Sequence, residues 1–269
     1  MSASKRPLTW LAASLLATLS SAFALTRFGG LKPAEARAVS GGGPQAGRGR
    51  SPHAPTFAKI ARAALAGLCV MAAVAAGAAA ERTVTIVALG DSLTAGYQLP
   101  ASAAFPAKLE QALKTKGLAV HIINAGVSGD TASGGLSRLD WSVPAGADAV
   151  ILEFGANDAL RGIDPKITRQ ALESCVRALK GRGIAVLLAG MRAPPNMGAD
   201  YGRAFNAIYP ELAAAHDLIF YPFFLDGVAA DLKLNQRDGL HPTEAGVDVI
   251  VARILPKVEE LIARVRARR

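Results

Sequence analysis

From Arg82 onward, short apolar runs alternate with longer stretches in which apolar residues recur every three or four positions. The short runs are Thr83 to Leu89 (TVTIVAL), Ala119 to Asn124 (AVHIIN), Asp148 to Phe154 (DAVILEF), Ile184 to Ala189 (IAVLLA) and Leu218 to Tyr221. They are rich in β-branched residues and nearly continuous, as strands buried on both faces are. The longer stretches, Phe105 to Lys116, Pro165 to Leu179, Tyr201 to His216 and Pro242 to about Arg266, have helical spacing; the first stops at Gly117 and the second opens on a proline. This alternation predicts a three-layer α/β/α sandwich around a central parallel sheet with flavodoxin-like strand order.

The first 80 residues follow a different pattern. Lys5 and Arg6 precede an apolar segment from Leu8 to Leu25, and Lys59 and Arg62 precede a second from Ala63 to about Ala76, after which Ala78-Ala79-Ala80 offers a cleavage site. Residues 29–56 between them are rich in Gly, Pro, Ala and Arg without apolar periodicity, which reads as a flexible linker. The expected organisation is a leader over 1–80 and one folded domain over 81–269, periplasmic or secreted after cleavage near Ala80. Two tandem signals also fit a translation start downstream of Met1. The first segment is short for a ~30 Å hydrocarbon core, so no stable membrane span is expected in the mature protein.

The formal charge of +9 hints at a nucleic-acid partner until its position is considered. Nine Lys/Arg and a single acid, Glu35, fall within residues 1–80, which leaves 21 basic against 20 acidic residues for the domain. The electrostatic case for a nucleic-acid partner then disappears. The terminal Arg264, Arg266, Arg268 and Arg269 suit a helix C-terminus. The two cysteines, Cys69 and Cys175, lie on opposite sides of the expected cleavage point, so no internal disulfide is expected, and Cys175 in its helical pattern reads as a small buried hydrophobe.

In a parallel α/β sheet, ligands bind beyond the carboxyl ends of the strands, so the residues that follow each strand carry the functional signal. The first strand leads into Gly90-Asp91-Ser92-Leu93-Thr94-Ala95-Gly96-Tyr97, where Ser92 either caps a helix or presents its hydroxyl at the sheet edge. The second leads into Gly126-Val127-Ser128-Gly129-Asp130-Thr131, where the Gly129 N–H can donate to an anion, or Asp130 or Thr131 caps a helix. Gly155-Ala156-Asn157-Asp158 follows the third; Asn157 can aim its amide into the crevice or close a local turn. Before the last helix stands Asp238-Gly239-Leu240-His241-Pro242, a base with a carboxylate three residues upstream that can hold its Nδ1–H. His121 and His216 have no such context.

Taken together, Gly90-Asp91-Ser92-Leu93, Gly129, Gly155-x-Asn157-Asp158 and Asp238-x-x-His241-Pro242 are similar to the four signature blocks of the SGNH (GDSL) hydrolases, and the resemblance covers residues 83 to 262. Met191-Arg192-Ala193-Pro194, Tyr201-Gly202-Arg203 and Tyr221-Pro222-Phe223-Phe224 resemble the small periplasmic branch of arylesterases, acyl-CoA thioesterases and lysophospholipases. The resemblance implies Ser92 as nucleophile, His241 as base and Asp238 as its partner, with the N–H groups of Ser92 and Gly129 and the Asn157 amide forming the oxyanion hole. Neither a metal nor another cofactor is implied. The expected substrate is a small acyl ester or thioester. Apolar turns after the third and fourth strands, with Leu160 and Pro194, are expected to border the nucleophile and to suit an acyl chain. Two alternatives stay open: a carbohydrate acetyl esterase with the same blocks, and a flavodoxin-like phosphate or flavin binder, which has no use for Asp238 and His241. An α/β-hydrolase elbow is excluded, because the serine is not in G-x-S-x-G.

Overall fold

A computed structural model describes residues 82–268. The leader, its cleavage point near Ala80, the linker and Cys69 lie outside the described residues. Five parallel strands, β1 (Val84–Gly90), β2 (Val120–Gly126), β3 (Ala149–Glu153), β4 (Ala185–Ala189) and β5 (Ile219–Tyr221), form one sheet in the order β2-β1-β3-β4-β5. This is the flavodoxin-like order read from the sequence. It has one reversal, at β1, and the carboxyl ends of β1 and its neighbours β2 and β3 open into a common crevice. β3 and β4 are buried along their whole length, which accounts for their unbroken apolar character.

Helices cover both faces. α1 (Ser92–Ala95) is a single turn directly after β1, and α2 (Phe105–Thr115) packs with the C-terminal helix α8 (Glu244–Ala267). On the opposite face, α3 (Ala132–Ser137), α6 (Pro165–Gly181) and α7 (Ala199–His216) pack in succession, while α4 (Leu139–Ser142) and α5 (Ala156–Leu160) are short connecting turns. The large helices agree with the periodicity to within a turn at each end. The last begins two residues later than Pro242, because the Thr243 side chain accepts from the Gly246 N–H and so sets the N-cap. At its other end the Arg264 guanidinium donates to the Asp217 carbonyl at 2.8 Å, a local anchoring role for part of the basic tail. A helix capped by Asp130 or Thr131 was one of the two readings at α3, but its extent was not foreseen, since Ala132-Ser-Gly-Gly-Leu-Ser137 contains two glycines and too few apolar positions to show a period; the α4 turn was not foreseen at all. Cys175 is fully buried, and burial pushes its thiol up to about 12. No helix among the described residues is long and apolar enough to cross a membrane.

Candidate active site

The turn after β1 resolves the two readings of Ser92. Capping falls to Asp91, whose Oδ1 accepts from the Leu93 N–H at 2.9 Å, and the Ser92 hydroxyl is left free for another partner. That partner is His241, whose Nε2 lies 2.9 Å from Ser92 Oγ across 149 residues of sequence. On the other side of the ring, Nδ1 lies 2.7 Å from Asp238 Oδ2. A carboxylate at Nδ1 fixes the proton there, so Nε2 presents its lone pair and the serine hydroxyl donates to it. Asp238 is itself held, because Oδ1 accepts from the N–H groups of Leu240 at 2.9 Å and His241 at 3.0 Å. Desolvation raises its pKa, but these bonds and the His241 ring outweigh it and bring the carboxyl down to about 2. Asp238 is therefore an anion throughout the neutral range.

Two contacts join the loop carrying His241 to the turn carrying Ser92, and neither is visible in the sequence. The Gln236 side-chain amide donates to the carbonyls of Tyr97 and Pro242, both at 2.9 Å, while its backbone N–H donates to the His241 carbonyl at 2.7 Å. The Tyr97 ring packs on the imidazole with centroids 4.5 Å apart, which restricts rotation of the base.

The loops after β2 and β3 converge on the same place. Gly129 adopts φ +86°, a left-handed conformation suited to glycine, and its carbonyl accepts from Arg161 at 2.8 Å. Asn157 Nδ2 donates to Asp91 Oδ2 at 3.1 Å, so the amide is held by the residue before Ser92 rather than by a local turn. Its second N–H remains available for a ligand. Asp158 is a structural anchor: its carboxylate accepts from the Ala132 N–H and from the Thr168 hydroxyl, both at 2.9 Å. Thr131 does cap α3, accepting from the Gly134 N–H, while Asp130 binds Arg138.

Arg138, which the sequence did not single out, organises this end of the sheet. Its buried guanidinium donates to the carbonyls of Gly90 (2.8 Å) and Ala125 (2.9 Å) and to Ser142 (3.0 Å), and pairs with Asp130 at 2.6 Å. The carboxyl ends of β1 and β2 are thereby tied to the Gly129 loop. Arg138→Met is expected to destabilise the domain by about 3–5 kcal/mol, because it leaves the Asp130 carboxylate without its cation and takes a donor from the Ala125 carbonyl and from that of Gly90, which keeps only the Val127 N–H. Arg138→Lys is expected to recover only part of this, since an ammonium cannot reproduce the planar fork. Urea unfolding of the three proteins checks the expectation, and an unchanged midpoint for Arg138→Met would refute it.

Comparison with known proteins bears on this arrangement. The model of the GDSL-like Lipase/Acylhydrolase family matches residues 88–249, more than half of the chain and the whole span from Ser92 to His241. Esterase TesA of Pseudomonas aeruginosa is 35% identical over 202 residues, covering 75% of this chain and all of that protein. The chain belongs to the GDSL-like lipase/acylhydrolase family. It is an ester hydrolase. An arylesterase of Vibrio mimicus is 40% identical over 169 residues, covering 61% of this chain and 83% of that protein. Among solved structures, the SGNH-hydrolase family esterase AlinE4 is 46% identical with a TM-score of 0.57, covering 67% of this chain and 97% of that one.

In this GDSL-family domain the two residues expected to border the nucleophile lie in different segments. Leu160, the last residue of α5, is 49% exposed, and Tyr97, which packs on His241, Val127 in the loop after β2 and Leu240 next to His241 in the chain are exposed as well. Pro194 lies in the loop after β4, at the start of the turn Pro195–Met197. Met197, three residues further on, approaches the Leu160 segment; its Cε would lie 3.5 Å from a Cβ at Gly162.

Proposed function

We propose that the protein is an exported serine esterase that cleaves carboxylic esters or thioesters of acyl substrates through an acyl-enzyme on Ser92. The observation that carries this reading is the unbroken hydrogen-bonded line from Asp238 Oδ2 through the His241 ring to Ser92 Oγ, at 2.7 and 2.9 Å. His241 Nε2 takes the hydroxyl proton as Ser92 Oγ attacks the carbonyl carbon, and Asp238 stabilises the imidazolium that results. The oxygen that becomes negative is met by the N–H groups of Ser92 and Gly129 and by the free N–H of Asn157. Collapse of the tetrahedral species breaks the bond to the leaving oxygen or sulfur, which receives the proton from His241. Water, deprotonated by the same imidazole, then attacks the acyl-enzyme and releases the acid.

The names of the relatives, esterase, arylesterase and thioesterase 1/lysophospholipase L1, support an acyl substrate. The exposed apolar rim of Tyr97, Val127, Leu160 and Leu240 favours an acyl chain over a sugar. Leu160 and Pro194 are assigned to that side of the groove. Export rests on the two signal-like segments before residue 80.

The test is a panel of p-nitrophenyl esters from acetyl to palmitoyl, acyl-CoAs, a lysophospholipid and acetylated xylan, run beside labelling with a fluorophosphonate. Labelling at Ser92 with the best kcat/KM on an acyl chain longer than acetyl is expected. Labelling with activity confined to acetylated xylan would replace the acyl substrate by a carbohydrate acetate. A protein that is neither labelled nor active would sink the assignment.

A further inference from the structure

Glu153 takes no part in the scheme above, yet its carboxyl group is among the most enclosed polar groups in the domain. It closes β3, is 0% exposed, and stands in the sheet register beside Gly90, the last residue of β1. A Cβ at position 90 would lie 2.6 Å from Glu153 Oε2 and 2.2 Å from Thr94 Oγ1. The missing side chain at Gly90 therefore makes the space into which the carboxyl rises, directly beneath the turn that carries Ser92. There Oε2 accepts from the Thr94 hydroxyl at 2.8 Å and, over a longer 3.4 Å, from the Asp91 N–H. Oε1 receives no donor.

The groups that face this carboxyl are the Asp91 carboxyl, the Thr94 hydroxyl and the buried Tyr209 phenol, none of them a cation. A buried carboxylate requires donors on both oxygens or a cation beside it. Glu153 has neither, and the adjoining Asp91 carboxyl is an acceptor for an acid O–H but repels a carboxylate. Asp91 is supplied differently: Oδ1 accepts from the Leu93 N–H and Oδ2 from Asn157 Nδ2. Two adjoining acids cannot both ionise in such a place, so the proton belongs to the one with fewer donors. The direction of titration agrees. Burial, and after it the Asp91 charge, push Glu153 well above the ordinary carboxylate range; burial raises Asp91 only to about 6, because its two donors oppose the rise.

We propose that Glu153 is a positioning residue that works as a neutral acid: through the Asp91 N–H and the Thr94 hydroxyl it anchors the turn presenting Ser92. By keeping the proton, it leaves Asp91 anionic to hold the Asn157 amide. One N–H of Asn157 is thereby fixed and the other aimed at the developing oxyanion. The glycine, aspartate and threonine of Gly90-Asp91-Ser92-Leu93-Thr94 all serve this one buried acid: Gly90 makes its room, and Asp91 and Thr94 bind it. The proposal rests on the reading of Ser92 as nucleophile and Asn157 as oxyanion donor.

Glu153→Gln and Glu153→Leu separate the possibilities. Glutamine preserves the shape and the acceptor oxygen and is neutral at every pH, so its kcat is expected to stay within about threefold of wild type. Leucine removes the acceptor, and kcat is expected to fall about 10²-fold with little change in KM, because what is lost is alignment in the transition state. Were the working form a carboxylate, glutamine would lose as much as leucine, and that result overturns the proposal. A direct reading of the proton needs no activity and does not depend on the leucine variant folding. An infrared difference spectrum, wild type minus Glu153→Gln near neutral pH, should show the carbonyl band of a protonated carboxylic acid; carboxylate bands in its place overturn the proposal. Fluorophosphonate labelling of wild-type Ser92 keeps the two questions apart. Unlabelled Ser92 removes the catalytic reading beneath the proposal, whereas labelled Ser92 with carboxylate bands refutes the role of Glu153 alone.

Discussion

Ser92→Ala is expected to lower kcat on p-nitrophenyl esters by about 10⁶-fold, and adding His241→Ala to the same chain is expected to cost almost nothing more. The reason for non-additivity lies in the geometry. His241 Nε2 has one task at 2.9 Å from Ser92 Oγ, and without the hydroxyl there is no proton for it to take. The single His241→Ala variant should therefore lose about as much as Ser92→Ala, since an un-ionised serine is a poor nucleophile near neutral pH. Some acceleration over water should survive in all three variants, because substrate binding and the oxyanion donors are untouched. Single-turnover rates with enzyme in excess, on variants quantified by absorbance and shown by circular dichroism to be folded, provide the measurement. A Ser92→Ala protein within tenfold of wild type would show that another group carries the reaction. Independent, multiplying losses for the two residues would mean that they do not act as a unit.

Asp238→Asn is expected to lower kcat about 10⁴-fold while leaving the fold in place. The carboxylate accepts three hydrogen bonds, from the N–H groups of Leu240 and His241 and from Nδ1–H. An asparagine satisfies the two backbone donors with its oxygen and then turns its NH₂ toward Nδ1. The imidazole must answer with a lone pair at Nδ1, which moves its proton to Nε2, where it faces Ser92 and can accept nothing. Asp238→Glu should do little better, since a longer side chain cannot meet both backbone N–H groups and the ring from the same position. The substitution also changes the response to acid. The Asp238 pKa in the folded protein is depressed from 3.8 to about 2, so its stabilising contribution is complete above pH 3.8 and is lost as pH falls through about 2. Because the side chain is 37% exposed, solvent screening keeps that contribution small. Acid titrations of wild type and Asp238→Asn should therefore differ slightly at neutral pH and converge near pH 2. Full kcat for the asparagine variant, or a kcat loss matched by unfolding, would contradict the tautomer argument.

The residues that were legible in the sequence share a property: each belongs to a short block whose neighbours already constrain it. Ser92 follows a strand and a glycine, and Asp238 and His241 are three residues apart across Gly239. Gly129 and Asn157 fall just past the ends of apolar runs. Such local signals survive without knowledge of contacts. Arg138, Gln236 and Glu153 do not behave this way, because their partners are far off in sequence. Arg138 binds the Gly90 carbonyl 48 residues away, and Gln236 the Tyr97 carbonyl 139 residues away. Glu153 was read as part of the apolar run DAVILEF. A single acid at the end of a buried strand looks like the first exposed residue after it, and only the register beside Gly90 shows that it points inward.

By itself, then, the chain's pattern of apolar runs pointed to a parallel sheet and to the strand ends where chemistry could be placed, while the strand order is set by the pairing of β1 between β2 and β3. Periodicity and turn residues act within a few positions, and a doubly wound sheet delivers its strand ends to one crevice whatever their separation in sequence. Only the tertiary structure decided that Asp91 rather than Ser92 caps the first turn, which leaves the hydroxyl to His241. It also decided which of two adjoining acids is furnished with donors and which is not. Hydrogen-bond supply and burial are properties of a neighbourhood, and at Ser92 that neighbourhood is assembled from β1, β3 and the loop before α8.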